Sequence, residues 1–149
     1  SVASCELGPT SFTMSASAGA TRRWQMQLSD GRKLDLQNPA FTDPVTGLSC
    51  AIAGATTPTL SISNVNLGAH PATFTVVVLA TNSCGTNSAQ ADVTICAGDY
   101  DCSGGVDGDD VIAFFGDWDA SGARADVNHD GGVDGDDVIA FFEHWDSGC

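Results

Sequence analysis

Positive charge is what this sequence lacks most: five Lys and Arg stand against nineteen Asp and Glu, for a net charge of −14. With no basic stripe to neutralise phosphates, nucleic acid is excluded as a class of partner. No apolar run approaches the roughly 20 residues a membrane-spanning helix needs. No Gly-x-Ser-x-Gly elbow, His-Glu-x-x-His helix, phosphate loop or Cys-x-x-Cys pair occurs, so the sequence offers no constellation for catalysis and the expectation is a protein that is not an enzyme. There is no Asn-x-Ser/Thr sequon either.

What the sequence does have is a repeat. The eleven residues Gly105 to Phe115 recur unchanged as Gly132 to Phe142, 27 residues later. Each repeat unit opens with a twelve-residue loop that has oxygen-bearing side chains at positions 1, 3, 5, 9 and 12. The first loop supplies Asp99, Asp101, Ser103, Asp107 and Asp110; the second supplies Asp126, Asn128, Asp130, Asp134 and Asp137. Gly104 and Gly131 take position 6, where a chain wrapped around an ion turns sharply, and the carbonyls of Gly105 and Gly132 at position 7 complete each set. That is the ligand spacing of an EF-hand-type calcium loop, and two calcium ions are expected as cofactors. Magnesium fits less well, because it prefers a smaller octahedral shell and keeps its waters. A helix is expected after each loop, with Val111, Ile112, Phe115 and Trp118 forming one apolar face and Val138, Ile139, Phe142 and Trp145 the other.

Two loop-helix units in tandem, closed by a final Gly148-Cys149, resemble the dockerin family, in particular the GC-type dockerins of secreted bacterial proteins. Position 12 departs from a true EF-hand in being Asp rather than Glu, and the residues before the first loop read as strand. The resemblance implies a cohesin-like β-sandwich as partner. It carries the family's contact positions onto Gly108-Asp109 and Gly135-Asp136, then Phe115-Gly116 and Phe142-Glu143, so Asp109, Asp136, Phe115 and Phe142 are the expected partner-binding residues.

Before the loops the chain reads differently. Short alternating runs such as Arg23 to Leu28, Lys33 to Leu36, Thr59 to Ser63 and Thr73 to Ala80, separated by turn residues, predict about seven strands of an antiparallel sandwich. Trp24, Phe74, Val76 and Val78 are the expected core. The run Gly54 to Val65, followed by Thr81-Asn-Ser-Cys-Gly85, resembles the immunoglobulin-like modules of secreted bacterial proteins. The expected fold is therefore an all-β immunoglobulin-like sandwich over residues 1–97, then a small α-helical dockerin over 98–149. Charge divides at the same point, −1 for residues 1–97 and −13 for residues 98–149.

Six cysteines, an even number, predict disulfides and an oxidising compartment. Six cysteines allow fifteen connectivities; the strand order favours Cys5 with Cys96, Cys50 with Cys84, and Cys102 with Cys149. Ser1 in place of Met suggests a mature chain whose leader has been removed, and the expected location is extracellular or on the cell surface. The histidines, His70, His129 and His144, receive no role, since calcium does not favour imidazole.

Together these readings predict a secreted, calcium-stabilised assembly protein. A chain that carries a β-sandwich and a sandwich-binding module can complement itself, and a head-to-tail contact that does not close gives an open filament. In that reading the acidic end of one copy faces Arg22, Arg23, Arg32 and Lys33 of the next. A monomeric attachment module for a cohesin-like receptor and a carbohydrate-binding adhesin fragment stay open beside it.

Overall fold

Alternation of apolar and polar residues in short β-branched runs governs the chain as far as Cys96. The computed structural model describes residues 2–5, 8–16, 19–67 and 72–148. Over these it forms the strands β1 (Val2–Cys5), β2 (Thr10–Thr13), β3 (Thr21–Gln27), β4 (Lys33–Asp35), β5 (Ala40–Thr42), β6 (Ser49–Ala53), β7 (Thr59–Asn66), β8 (Thr73–Asn82) and β9 (Gly85–Cys96). The helices α1 (Gly108–Asp119) and α2 (Gly135–Ser147) follow, separated by a short 3-10 turn at Ala123–Ala125. One sheet has the order β1-β9-β8-β3-β4 and the other β2-β7-β6-β5. The strand β8 pairs antiparallel with β3 and with β9, with Trp24 opposite Val78, Met26 opposite Val76, and Phe74 opposite Val93.

The expected fold class is corrected by this architecture. The chain is mostly β, with 39% strand in two sheets and only two short helices in 149 residues, which fits a small β fold and not an immunoglobulin-like domain followed by a helical dockerin. The cause is a pairing between distant parts of the sequence that local patterns do not reveal. The first strand, β1, lies beside the last, β9. Residues Ala3–Glu6 cluster with Ile95–Cys149 in one compact unit, while Leu7–Thr94 and Ser1–Val2 form the other. The helices are thus not a free-standing C-terminal module; the N-terminal strand belongs with them.

In the sheet unit, the alternating faces put Trp24, Met26, Leu60, Ile62, Phe74, Val76 and Val78 inside. Each such side chain removed from water is worth about 1.5–3 kcal/mol, so these faces carry the unit. Trp24 also donates its indole N–H to the carbonyl of Thr57 at 3.1 Å, which satisfies its one polar atom. Gly54 is required where it stands: its φ is +80°, and a Cβ there would lie 2.0 Å from the carbonyl oxygen of Thr59. A charged group also lies within this unit. Asp43 is fully buried and is gripped by both ends of the Arg32 guanidinium at 2.7 and 2.8 Å. The Thr46 hydroxyl donates to it at 2.7 Å, and the backbone N–H groups of Val45 and Thr46 donate as well. Arg32, expected to face a partner, is therefore committed inside its own unit.

The expected disulfide pairing is corrected too. Cys5 bonds to Cys102, with 5.4 Å between their Cα atoms, because β1 brings Cys5 beside the end of β9 and the loop that follows. Cys96 is disulfide-bonded, but not to Cys5. Cys50 and Cys84 are free. Cys50 stands on the buried face of β6 opposite Phe41, while Cys84 lies exposed in the turn between β8 and β9. Burial pushes the Cys50 thiol up to about 12. Cys149 and His70 lie outside the described residues.

In the acidic unit a small aromatic core holds the two helices. Phe114 and Phe141, equivalent in the repeat, stack face to face at 4.3 Å with their planes 3° apart. Tyr100 meets both edge-on at 5.6 and 5.8 Å. The apolar face differs from the expected one by a small rotation: Ile112 and Ile139 are 72% and 59% exposed, and Phe114 and Phe141 are buried instead. At 100° per residue the stripe Val111, Phe114, Phe115, Trp118 is continuous, and residue 112 falls outside it.

Candidate metal centre

Where the two loops turn into helices, the same chemistry appears twice. Asp107 and Asp134 cap α1 and α2, each accepting from the backbone N–H two residues on, at 2.8 and 2.9 Å. Asp110 and Asp137, at loop position 12, complete the capping boxes by accepting the N–H of Asp107 at 2.8 Å and of Asp134 at 2.9 Å. Both are fully buried. Their second oxygens accept the N–H of residue 3 of each loop, Asp101 at 3.0 Å and Asn128 at 3.1 Å. A capping carboxylate therefore also draws each loop closed. The turn residues match as well: Gly104 and Gly131 have φ of +96° and +93°, and Cys102 and His129 at position 4 have φ of +62° and +57°.

Within the first loop, Asp99, Asp101 and Asp110 each bring an oxygen to within 4.8 Å of the others. Asp99 is 6% exposed. One of its oxygens accepts the N–H of Gly104 at 3.0 Å, while the other, Oδ1, is buried with no hydrogen-bond donor. Burial pushes the Asp99 carboxyl up from its ordinary value, and the nearby Asp110 and Asp101 carboxylates push it the same way. Asp101 shifts down, because the side chain and backbone of Ser103 hydrogen-bond to it. A buried carboxylate oxygen with no donor, among further carboxylates, is costly unless a cation meets it. These residues therefore fit a hard, oxygen-liganded cation such as calcium.

The expected ligands are not all alike. Asp107 has one oxygen committed to capping, and the N–H of Ser103 donates to Asp101. In the second loop, Asp126 accepts from the N–H of Asp130 and Gly131. Asn128 donates its amide to Asp130 at 3.1 Å, and Asp130 accepts the N–H of Gly132 at 2.8 Å.

Of the expected partner-binding residues, Asp109 and Asp136 are exposed on first helical turns. Phe115 and Phe142 are half-buried, with 6.4 Å between their rings, and pack on the aromatic core. Arg23 pairs loosely with Asp35 at 3.4 Å. Arg22 and Arg23 line a cavity of about 460 Å³ together with Thr21, Thr81 and Thr86. Two features had no signal in the spacing. Arg124 lies 4.5 Å over the Tyr100 ring and donates to the Tyr100 carbonyl at 2.6 Å. The indoles of Trp118 and Trp145 also donate across the repeat, to Asp134 and Asp107.

Compared with known proteins, the chain matches no family model, no curated protein and no solved structure.

Proposed function

We propose that this is a non-enzymatic, calcium-dependent assembly protein that acts outside the cell, with two calcium ions per chain held by the duplicated loops. The observation that carries the reading is Asp99, buried with an oxygen that no donor meets, in a cluster with Asp101 and Asp110. In the first loop Ser103, the Gly105 carbonyl and Asp107 complete the oxygen set. In the second, Asp126, Asn128, Asp130, the Gly132 carbonyl, Asp134 and Asp137 do so. Two ions bring the charge of residues 98–149 from −13 to −9. The Cys5–Cys102 bond supports an oxidising location.

The assembly part of the proposal is supported by charge and by exposed apolar groups. Ile112 and Ile139 stand exposed at matching positions of the two helices, beside the exposed carboxylates Asp109 and Asp136. Arg22, Arg23 and Lys33 of a second copy complement that acidic surface, which gives a head-to-tail contact and an open chain of subunits.

Melting the full chain with calcium and with a chelator tests the metal. A transition of the acidic unit that falls on chelation supports the proposal, and an unchanged one overturns it. Negative-stain microscopy in the same two buffers tests assembly: filaments that dissolve on chelation support the self-complementary reading, and single particles in both buffers overturn it.

A further inference from the structure

Each repeat of the acidic unit reaches into the loop of the other. Trp118, near the end of α1, donates its indole N–H to the Asp134 carbonyl at 3.2 Å. Trp145, its counterpart in α2, donates to the Asp107 carbonyl at 2.9 Å. Asp107 and Asp134 stand at position 9 of their loops and cap the helices that follow. A backbone group in the middle of each capping box is thus pinned by an indole from the opposite repeat. Both indoles also pack on the aromatic core, each 6.2 Å from a phenylalanine of its own helix.

The two loops are not equal. Asp99 is 6% exposed and its Oδ1 has no donor. Asp126, the equivalent residue, is less buried, and its two oxygens accept from the N–H groups of Asp130 and Gly131 at 3.1 and 3.0 Å. The Asn128 amide further satisfies Asp130. The second loop meets its own hydrogen-bonding needs, whereas the first is left short of one positive partner.

We propose that the loops load in order, the first before the second, and that Trp118 and Trp145 couple them. The inference rests on the calcium reading above. Closing the first loop fixes Asp107 and the start of α1. The same helix carries Trp118, whose N–H then holds the Asp134 carbonyl and removes freedom the second loop would otherwise lose on closing. Coupling of this kind is reciprocal, so the second loop tightens the first by the same factor. Trp118 and Trp145 act here as positioning residues.

The test is a calcium titration of the full chain by calorimetry, with indole fluorescence followed in parallel. Trp118→Phe keeps the ring packing and removes the N–H. Asp99→Asn removes the tighter event, which assigns it to the first loop. In the native background Asp99→Asn also weakens the remaining event, by roughly three- to tenfold if one hydrogen bond carries the coupling. In the Trp118→Phe background it weakens that event less, and with Trp145→Phe added as well it leaves the event unchanged. A purely structural role for Trp118 gives the same Asp99→Asn effect in both backgrounds, and that result overturns the proposal, as do two equal and independent events in the native chain. Absence of any calcium heat overturns the calcium reading itself. Should Trp118→Phe lose its helical circular dichroism, Trp145→Phe with Asp126→Asn runs the same cycle from the other side.

Discussion

Asp43 in the sheet unit and Asp99 in the acidic unit are both buried, and the two regions treat them in opposite ways. Asp43 has the Arg32 guanidinium across both oxygens, which holds its carboxyl well below the usual carboxylate range. Asp99 has no such partner, and burial pushes its carboxyl up. With five Lys and Arg in the chain, internal compensation reaches only so far. In the sheet unit a side chain neutralises the buried charge. In the acidic unit Arg124 is taken up by Tyr100 and Asp117, which leaves Asp99 without a side-chain cation of its own.

The contrast can be broken most sharply at the aromatic core. Phe114→Ala removes half of the stacked pair and is expected to cost about 3–5 kcal/mol. In a unit with so few buried residues, that loss melts the helices even in calcium and leaves the sheet unit standing; two-transition melting by circular dichroism and Trp24 fluorescence measures it. Next in size is the clasp. Cys5→Ser with Cys102→Ser opens a loop closed over 97 residues and is expected to cost about 2–5 kcal/mol, seen as an earlier melt of the acidic unit.

Asp99→Asn sharpens the comparison because its sign depends on calcium. Without calcium it relieves an unmet buried charge and is expected to raise stability by about 1 kcal/mol. With calcium it lowers stability, because the tighter ion is lost. Urea unfolding in both buffers reads the reversal. The smallest effect is the acid dependence of the sheet unit. Asp43 has a lowered folded pKa, so its contribution is complete above its unfolded value, near 4 by the usual carboxylate range of about 3.9, and is lost as pH falls toward the folded value. Arg32→Met removes the cause, and the acid midpoint of Trp24 fluorescence is expected to move to higher pH.

Local patterns made part of this legible. The duplicated loops, the helices after them and the burial of Trp24, Phe74, Val76 and Val78 follow from spacing and alternation, which act over a few residues. The fold class did not follow, because the adjacency of β1 and β9 joins residues about ninety positions apart, and no periodicity signals such a pairing. The cysteine pairing failed at a finer scale: the expected Cys5–Cys96 bond already sets the first strand beside the last, and Cys102, six residues further on in the loop, takes Cys5 instead. Arg32 reads as surface in the sequence because its partner, Asp43, lies eleven residues away and carries no pattern of its own. Ile112 falls on the apolar face in the sequence because consecutive apolar residues blur the phase of a helical stripe; packing around Phe114 decides it.

The bond between Cys5 and Cys102 also has a mechanical meaning. Tension that enters the chain ahead of Cys5 and leaves beyond Cys102 crosses from one residue to the other through sulfur, without travelling along the 97 positions between them. The strands from β2 to β9 then form a covalent ring that bears none of this tension.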